Sequence, residues 1–219
     1  CMSSPRNIII EKIDISSLVE VAAILTDAFE TNPAYALIFE DKKHNLREGL
    51  LWLFKTNLFL INNRELLTHV IKEKGSDEII GCYTLIPPGG VKSALSDYTR
   101  IGLFGFIRKF GFNTLRKMMG MDSFNKELLN KAIGTNQYYY LSMVALKKEC
   151  RGSGIGSFAM KNCLKELAKE KRNCNLLGLT TQLPENVSFY SKLGFEKIDE
   201  GEMLYKQHTY YNYNMKFDL

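Results

Sequence analysis

The stretch from Val144 to Gly156, Val-Ala-Leu-Lys-Lys-Glu-Cys-Arg-Gly-Ser-Gly-Ile-Gly, constrains the fold more than any other part of the chain. An apolar run ends, a charged turn follows, and three glycines open an amphipathic segment. Ile155, Ala159, Cys163 and Leu167 recur at helical spacing, which predicts a helix from Gly154 to about Lys171. Amides at a helix N-terminus lack intrahelical acceptors and carry partial positive charge. Glycine, without a Cβ, lets an anion come close to that backbone. A strand, a glycine turn and a helix in this order suit a pyrophosphate. Taken by itself, the segment also reads as a turn that only reverses the chain. It is not a Walker loop, because no Lys-Ser or Lys-Thr follows the glycines. It is not a dinucleotide fingerprint either. The glycines follow G-x-G-x-G, and no acidic residue ends the next apolar run at Thr180-Thr181.

Around this segment the pattern alternates. Tyr138–Leu146 and Leu176–Thr181 read as strands, Asn186–Leu193 as a short helix, and Phe195–Asp199 and Thr209–Phe217 as further strands. Nearer the start, Asn7–Ile13 is an expected strand. A helix capped within Asp14–Ser17 runs to Phe29, and Thr31-Asn32-Pro33 stops it. A second helix is expected over Lys43–Ile61. Leu66–Lys72 and Glu78–Ile86 then form a hairpin across Gly75. Helices among paired strands predict an α/β (α+β) fold with a mixed sheet. Between them, 91–136 reads as a helical insertion of two or three short helices punctuated by Gly111 and Gly120. Met118, Met119 and Met121 are expected to fill gaps in its core.

The 219 residues suit one domain, spanning 2–219; Cys1 ahead of Met2 reads as a cloning remnant. With 45% hydrophobic and 24% charged residues, the chain has the makings of a globular core. No run reaches the roughly 18 apolar residues of a membrane span, and Ile8-Ile9-Ile10 is too short for a signal peptide. No Cys or His pair has zinc spacing, so no metal is expected. The remaining cysteines, Cys82, Cys150, Cys163 and Cys174, read as free thiols of a cytoplasmic protein. A net charge of +5 permits an anionic ligand without demanding nucleic acid.

Arg151-Gly152-Ser153-Gly154-Ile155-Gly156 resembles the Arg/Gln-x-x-Gly-x-Gly/Ala signature of the GNAT superfamily of acyl-CoA-dependent N-acyltransferases. Two flanking segments agree. Tyr140–Leu146 is similar to the family's strand leading into that turn, and Asn186–Phe195 to its Asn-x-x-x-Tyr-x-x-x-Gly-Phe segment. The likeness covers 138–195, the expected acetyl-CoA-binding core. It implies a mostly antiparallel sheet with a splayed central strand pair, flanked by helices, and acetyl-CoA as acyl donor. The pantetheine arm would bond to the backbone of Val144 and Leu146, with the Val144 amide polarising the thioester carbonyl. Amides of Arg151, Gly152, Ser153, Gly154, Ile155 and Gly156 would take the pyrophosphate, with Lys147 and Lys148 near the ribose phosphate or simply solvated. Tyr190 would be the general acid, and Asn186 a helix cap with a bond to the arm. The implied reaction is acetyl transfer to a primary amine by direct attack.

Some relatives carry a carboxylate where this chain has Thr180, which leaves the general base open. Glu30, Glu40, Asp41 and a water chain are the candidates. The acceptor is a small-molecule or peptide amine, and a homodimer is compatible with the sequence. From Asp97 to Lys131, seven Lys/Arg oppose three Asp/Glu. That imbalance suggests either an acceptor pocket favouring an anionic substrate or a solvated basic face. Two further functions compete: a non-catalytic acyl-CoA-binding protein of the same fold, and RNA binding through Tyr138, Tyr139 and Tyr140 beside basic residues.

Overall fold

The computed structural model describes residues 7–40, 45–92, 94–135, 137–170, 174–205 and 208–219. Asp41 and His44 lie outside the described residues. The strands are β1 (Ile8–Lys12), β2 (Thr68–Glu73), β3 (Ile79–Ile86), β4 (Tyr139–Leu146), β5 (Leu176–Thr181), β6 (Glu196–Tyr205) and β7 (His208–Asp218). They form one sheet in the order β1-β2-β3-β4-β5-β7-β6. Neighbours are antiparallel except β4 and β5, which are parallel. The helices are α1 (Leu18–Phe29), α2 (Pro33–Ile38), α3 (Leu46–Asn62), α4 (Leu95–Tyr98), α5 (Leu103–Phe110), α6 (Phe112–Ile133), α7 (Ile155–Lys169) and α8 (Pro184–Lys192).

Each face of the sheet carries its own core. On one side Val21, Ala22 and Leu25 of α1 and Leu50, Leu53, Phe54 and Leu58 of α3 pack on Val70, Ile79, Met143 and Ala145. The helical insertion joins that layer: Trp52 of α3 stacks on Phe106 of α5 at 4.1 Å, and Phe39 meets Phe110 edge-on. On the other side Ile155, Ala159, Cys163 and Leu167 of α7 pack on Ile71, Tyr139, Leu141, Leu177 and Met215. The stripe expected on α7 is therefore its buried face. Each fully buried aliphatic side chain contributes about 1.5–3 kcal/mol.

Four expectations need correction. Gly111 does separate α5 from α6, with φ +86, but Gly120 lies inside the 22-residue α6. A single interior glycine costs a helix only about 1 kcal/mol, and here the bare backbone receives Tyr205, whose hydroxyl lies 1.8 Å from where a Cβ would stand. Met119 is 61% exposed, whereas Met121 is buried. The triplet Thr31-Asn32-Pro33 ends α1 and also starts α2: Asn32 Oδ1 accepts from the Ala34 amide at 3.0 Å, with proline at the first turn. The strand expected to end at Asp199 continues to Tyr205, because β7 offers it a long antiparallel partner.

Candidate active site

β4 and β5 pair only at Tyr139↔Leu177 and Tyr140↔Gly178, although β4 continues to Leu146 and β5 to Thr181. Beyond Tyr140 the two strands part. β4 stays paired with β3 on its other edge as far as Gly81↔Leu146. The Lys147 amide donates to Ile80 O at 2.8 Å, towards β3. Backbone direction alternates along a strand. Ala145 therefore faces β3 as well, while the amides and carbonyls of Val144 and Leu146 face the gap.

A bulge sits beside that gap. Thr84 pairs with Ser142 and Cys82 with Ala145, leaving Met143 and Val144 opposite the single Tyr83. Met143 has φ +50, in the left-handed region. Bulges re-aim the strand locally. The result is visible in the packing: Tyr139 and Leu141 enter the core under α7, whereas Met143 and Ala145 enter the core under α1 and α3. No feature of the sequence announces this bulge.

The glycine turn follows directly. Gly152 and Gly154 adopt φ +75 and +83, and nothing lies within 4 Å of a Cβ built on Gly152. The amides from Gly152 to Gly156 donate to no acceptor among the described turn and loop contacts. That arrangement fits a diphosphate at the start of α7. Arg151 differs: its amide donates to Lys148 O at 3.2 Å, and its Nε donates to Leu146 O at 3.1 Å. Arg151 thus braces the turn against β4 and occupies one of the carbonyls expected to meet the arm. Ser153 Oγ donates to Cys150 O at 2.6 Å, another brace. Lys147 pairs with Glu78 at 2.7 Å, while Lys148 is exposed.

Tyr190 is 7% exposed, between Phe189 and Phe195 in the core under α7 and α8. Burial, with Cys163 nearby, pushes its phenol pKa upward, so it stays protonated well above neutral pH. Asn186 is not the cap of α8. The helix starts two residues earlier, with Leu183 as N-cap and Pro184 in the first turn, and Asn186 Nδ2 donates to Thr181 Oγ1 at 3.0 Å. Asn186 therefore ties α8 to the end of β5. Thr180 Oγ1 donates to Asn214 Oδ1 and receives Asn212 Nδ2 at 3.5 Å, within a polar network that ends on Asp199, whose Oδ2 accepts from Asn214 Nδ2 at 3.2 Å.

Two candidate bases are already engaged. Glu30 pairs with Arg47 at 3.2 Å on the surface. Glu40 Oε1 accepts from Lys117 Nζ of α6 and lies 2.9 Å from His208 Nε2 of β7. Lys109 likewise pairs with Glu48 of α3. These lysines of the insertion are joined to carboxylates of the main body. Tyr138 and Tyr139 are buried, and Tyr138 donates to Asn130 at 2.6 Å, so neither ring lies on an open stacking face. A polar recess bounded by Asn63, Arg64, Asp97 and Arg100 lies at the end of α3 and is crossed by the Arg64–Asp97 ion pair at 3.1 Å. It shares no residue with the gap. Among the described residues no helix is long and apolar enough to cross a membrane, and no group of three or more His, Cys, Asp or Glu is placed to hold a metal.

A model of the acetyltransferase (GNAT) family matches residues 25–195. The chain belongs to the GNAT family. It is an N-acetyltransferase by family, and GNAT enzymes draw their acetyl group from acetyl-CoA. No curated protein matches it by sequence. Solved structures share the GNAT fold at low identity. The C-terminal condensation domain of Ebony in complex with beta-alanyl-dopamine has a TM-score of 0.67 at 14% identity, over 97% of this chain and 99% of that one. A protein named arylalkylamine N-acetyltransferase 7, from the yellow fever mosquito Aedes aegypti, has a TM-score of 0.58 at 10% identity, over 96% and 87%. The NatC complex bound to Gag peptide and CoA contains a chain with a TM-score of 0.53 at 14% identity, over 97% and 99%.

Proposed function

We propose that this GNAT chain transfers acetyl from acetyl-CoA to a primary amine by direct attack, without an acyl-enzyme intermediate. The observation that carries the reading is the parting of β4 and β5 after two residue pairs, directly upstream of a glycine turn with free amides. When bound, acetyl-CoA supplies an activated thioester. The backbone of Val144, with the amide of Leu146, edges the gap as an unpaired strand would and receives the arm. The Val144 amide polarises the carbonyl; one such donor is worth about 10²–10³ in rate. Gly152, Ser153, Gly154, Ile155 and Gly156 grip the diphosphate through their amides, with Arg151 stiffening the turn. Tyr190 protonates the leaving thiolate. Asn186 holds α8, and with it Tyr190, against β5.

Acetyl-CoA titrated into the protein in a calorimeter, followed by thiol release across a panel of primary amines, tests this reading. Saturable binding with amine-dependent thiol release supports it. Binding without release for any amine favours the alternative, a non-catalytic acyl-CoA-binding protein. That alternative draws on Thr180, whose hydroxyl bonds Asn214 and Asn212 where some relatives carry a carboxylate.

A further inference from the structure

The helical insertion carries a carboxylate towards the point where β4 and β5 part. On α6, Leu115, Met118, Asp122, Asn125 and Leu129 recur at spacings of three and four, which places them on one helix face. That face points inward. Leu115 and Leu129 are buried, Met118 packs on the core, and Asn125 Oδ1 accepts from the Tyr210 hydroxyl of β7. Asp122 stands in the middle of this stripe and is nevertheless solvent-accessible. An accessible side chain on an inward face marks the wall of a cleft.

The surround of that cleft is known. Tyr35 of α2 and Tyr140 of β4 are half-buried, and each feels the Asp122 charge, which adds to burial in lifting the phenol pKa. Tyr140 is the last β4 residue paired with β5. Its side chain lies on the sheet face opposite Tyr139 and Leu141, which are in the core under α7. α6 covers that same region: Ile133 Cδ1 lies 2.7 Å from a Cβ built on Gly178, the residue paired with Tyr140. Desolvation raises the Asp122 pKa, while Lys126, one turn along α6, lowers it. Lys126 thus acts on this carboxylate, and the carboxylate in turn acts on Tyr35 and Tyr140.

We infer that Asp122, walled by Tyr35 and Tyr140, receives the acceptor's ammonium group and takes its proton, selecting primary amines with an apolar or aromatic stem and no acid group beside the nitrogen. The inference rests on the acetyl-transfer reading above. A carboxylate attracts a cation and repels a neighbouring carboxylate, and tyrosine faces accept both a cation and a ring. It reverses the expectation that the insertion favours an anionic acceptor. The proton balance is complete. The ammonium loses one proton to Asp122, which passes it to solvent through the open cleft. The neutral nitrogen attacks, forming C–N, and then loses its second proton to solvent. C–S breaks, and the thiolate takes a proton from Tyr190, which is reprotonated from solvent. The net products are amide, thiol and one proton.

Phenethylamine and phenylalanine, which share ring and amine and differ by one carboxylate, make the test. The wild type is expected to show kcat/KM at least about 10²-fold higher for phenethylamine. Asp122→Asn is expected to lower kcat/KM for phenethylamine about 10²-fold and to narrow that ratio, with calorimetric affinity for acetyl-CoA unchanged. Asp122→Glu, which keeps the charge, should retain the discrimination. Equal use of both acceptors by the wild type overturns the inference, and so does an Asp122→Asn enzyme with unchanged kcat/KM and ratio. The wild-type ratio needs no variant, so a misfolded mutant cannot shield the idea. Amine-dependent thiol release without discrimination would defeat the inference alone; absence of acetyl-CoA binding would defeat the acetyl-transfer reading beneath it.

Discussion

Tyr190→Phe separates chemistry from packing. The ring sits 5.1 Å from Phe189 and 5.3 Å from Phe195, both edge-on, and phenylalanine preserves those contacts. Only the hydroxyl is lost, which changes folding stability by about 1 kcal/mol at most. For a chain of this length, that is a melting shift of about 2–4 °C. The kinetic loss is larger. A positioned acid contributes about 10²–10⁴ in rate, or roughly 3–5 kcal/mol of barrier. The expected outcome is a kcat reduced at least about 10²-fold, with KM for acetyl-CoA within about threefold of wild type. Thiol release with a saturating amine gives kcat, and a thermal melt on the same preparation gives the control. Because burial and then Cys163 lift the phenol's pKa above its ordinary 10.0, the wild-type rate should not fall through this group below that pH. A Tyr190→Phe enzyme keeping more than about a third of wild-type kcat would refute the assignment, since no acid worth its place is lost so cheaply.

Three further predictions concern the backbone and one half-buried imidazole. Gly154 has φ +83, so Gly154→Ala strains the turn by about 1–2 kcal/mol and should raise the acetyl-CoA Kd about tenfold by calorimetry. Gly81→Ala would place a Cβ 2.6 Å from the Ala145 carbonyl oxygen of β4. That backbone has little room to yield, and a loss of about 1–3 kcal/mol in denaturant stability is expected, along with lower activity. His69 stacks on Tyr83 at 4.7 Å with its Nδ1 unpartnered, and burial, then Lys12, lower its pKa from 6.5 to about 4. The folded state holds it neutral. Its stabilising contribution is therefore intact above pH 6.5 and is lost as the pH falls from 6.5 towards 4, by at most about 3 kcal/mol. His69→Phe should flatten melting temperature against pH in that window.

The glycine turn, the strands around it and the stripe on α7 were legible because local spacing and backbone demands determine them. Gly120 looks like a helix break in the sequence because the reason it is tolerated, the Tyr205 hydroxyl against its bare backbone, comes from a distant strand. Asn186 looks like a cap in the sequence, but Pro184 starts α8 two residues earlier and leaves the asparagine to bond Thr181. The bulge at Met143 has no sequence signature, since it arises from a mismatch between β3 and β4. Asp122 is hidden in the sequence for a related reason. Its place in an inward stripe follows from spacing, but that the stripe borders open space depends on where α2 and β4 lie.

The extra residue in β4 has a mechanical meaning. Because the first half of that strand is anchored in one layer and the second half in the other, it acts as a rivet through the whole thickness of the molecule. A cavity cut beneath α7, or one cut beneath α1, slackens the same fastening. Substitutions far from the coenzyme, in either layer, should therefore register as misaligned catalysis before they register as unfolding.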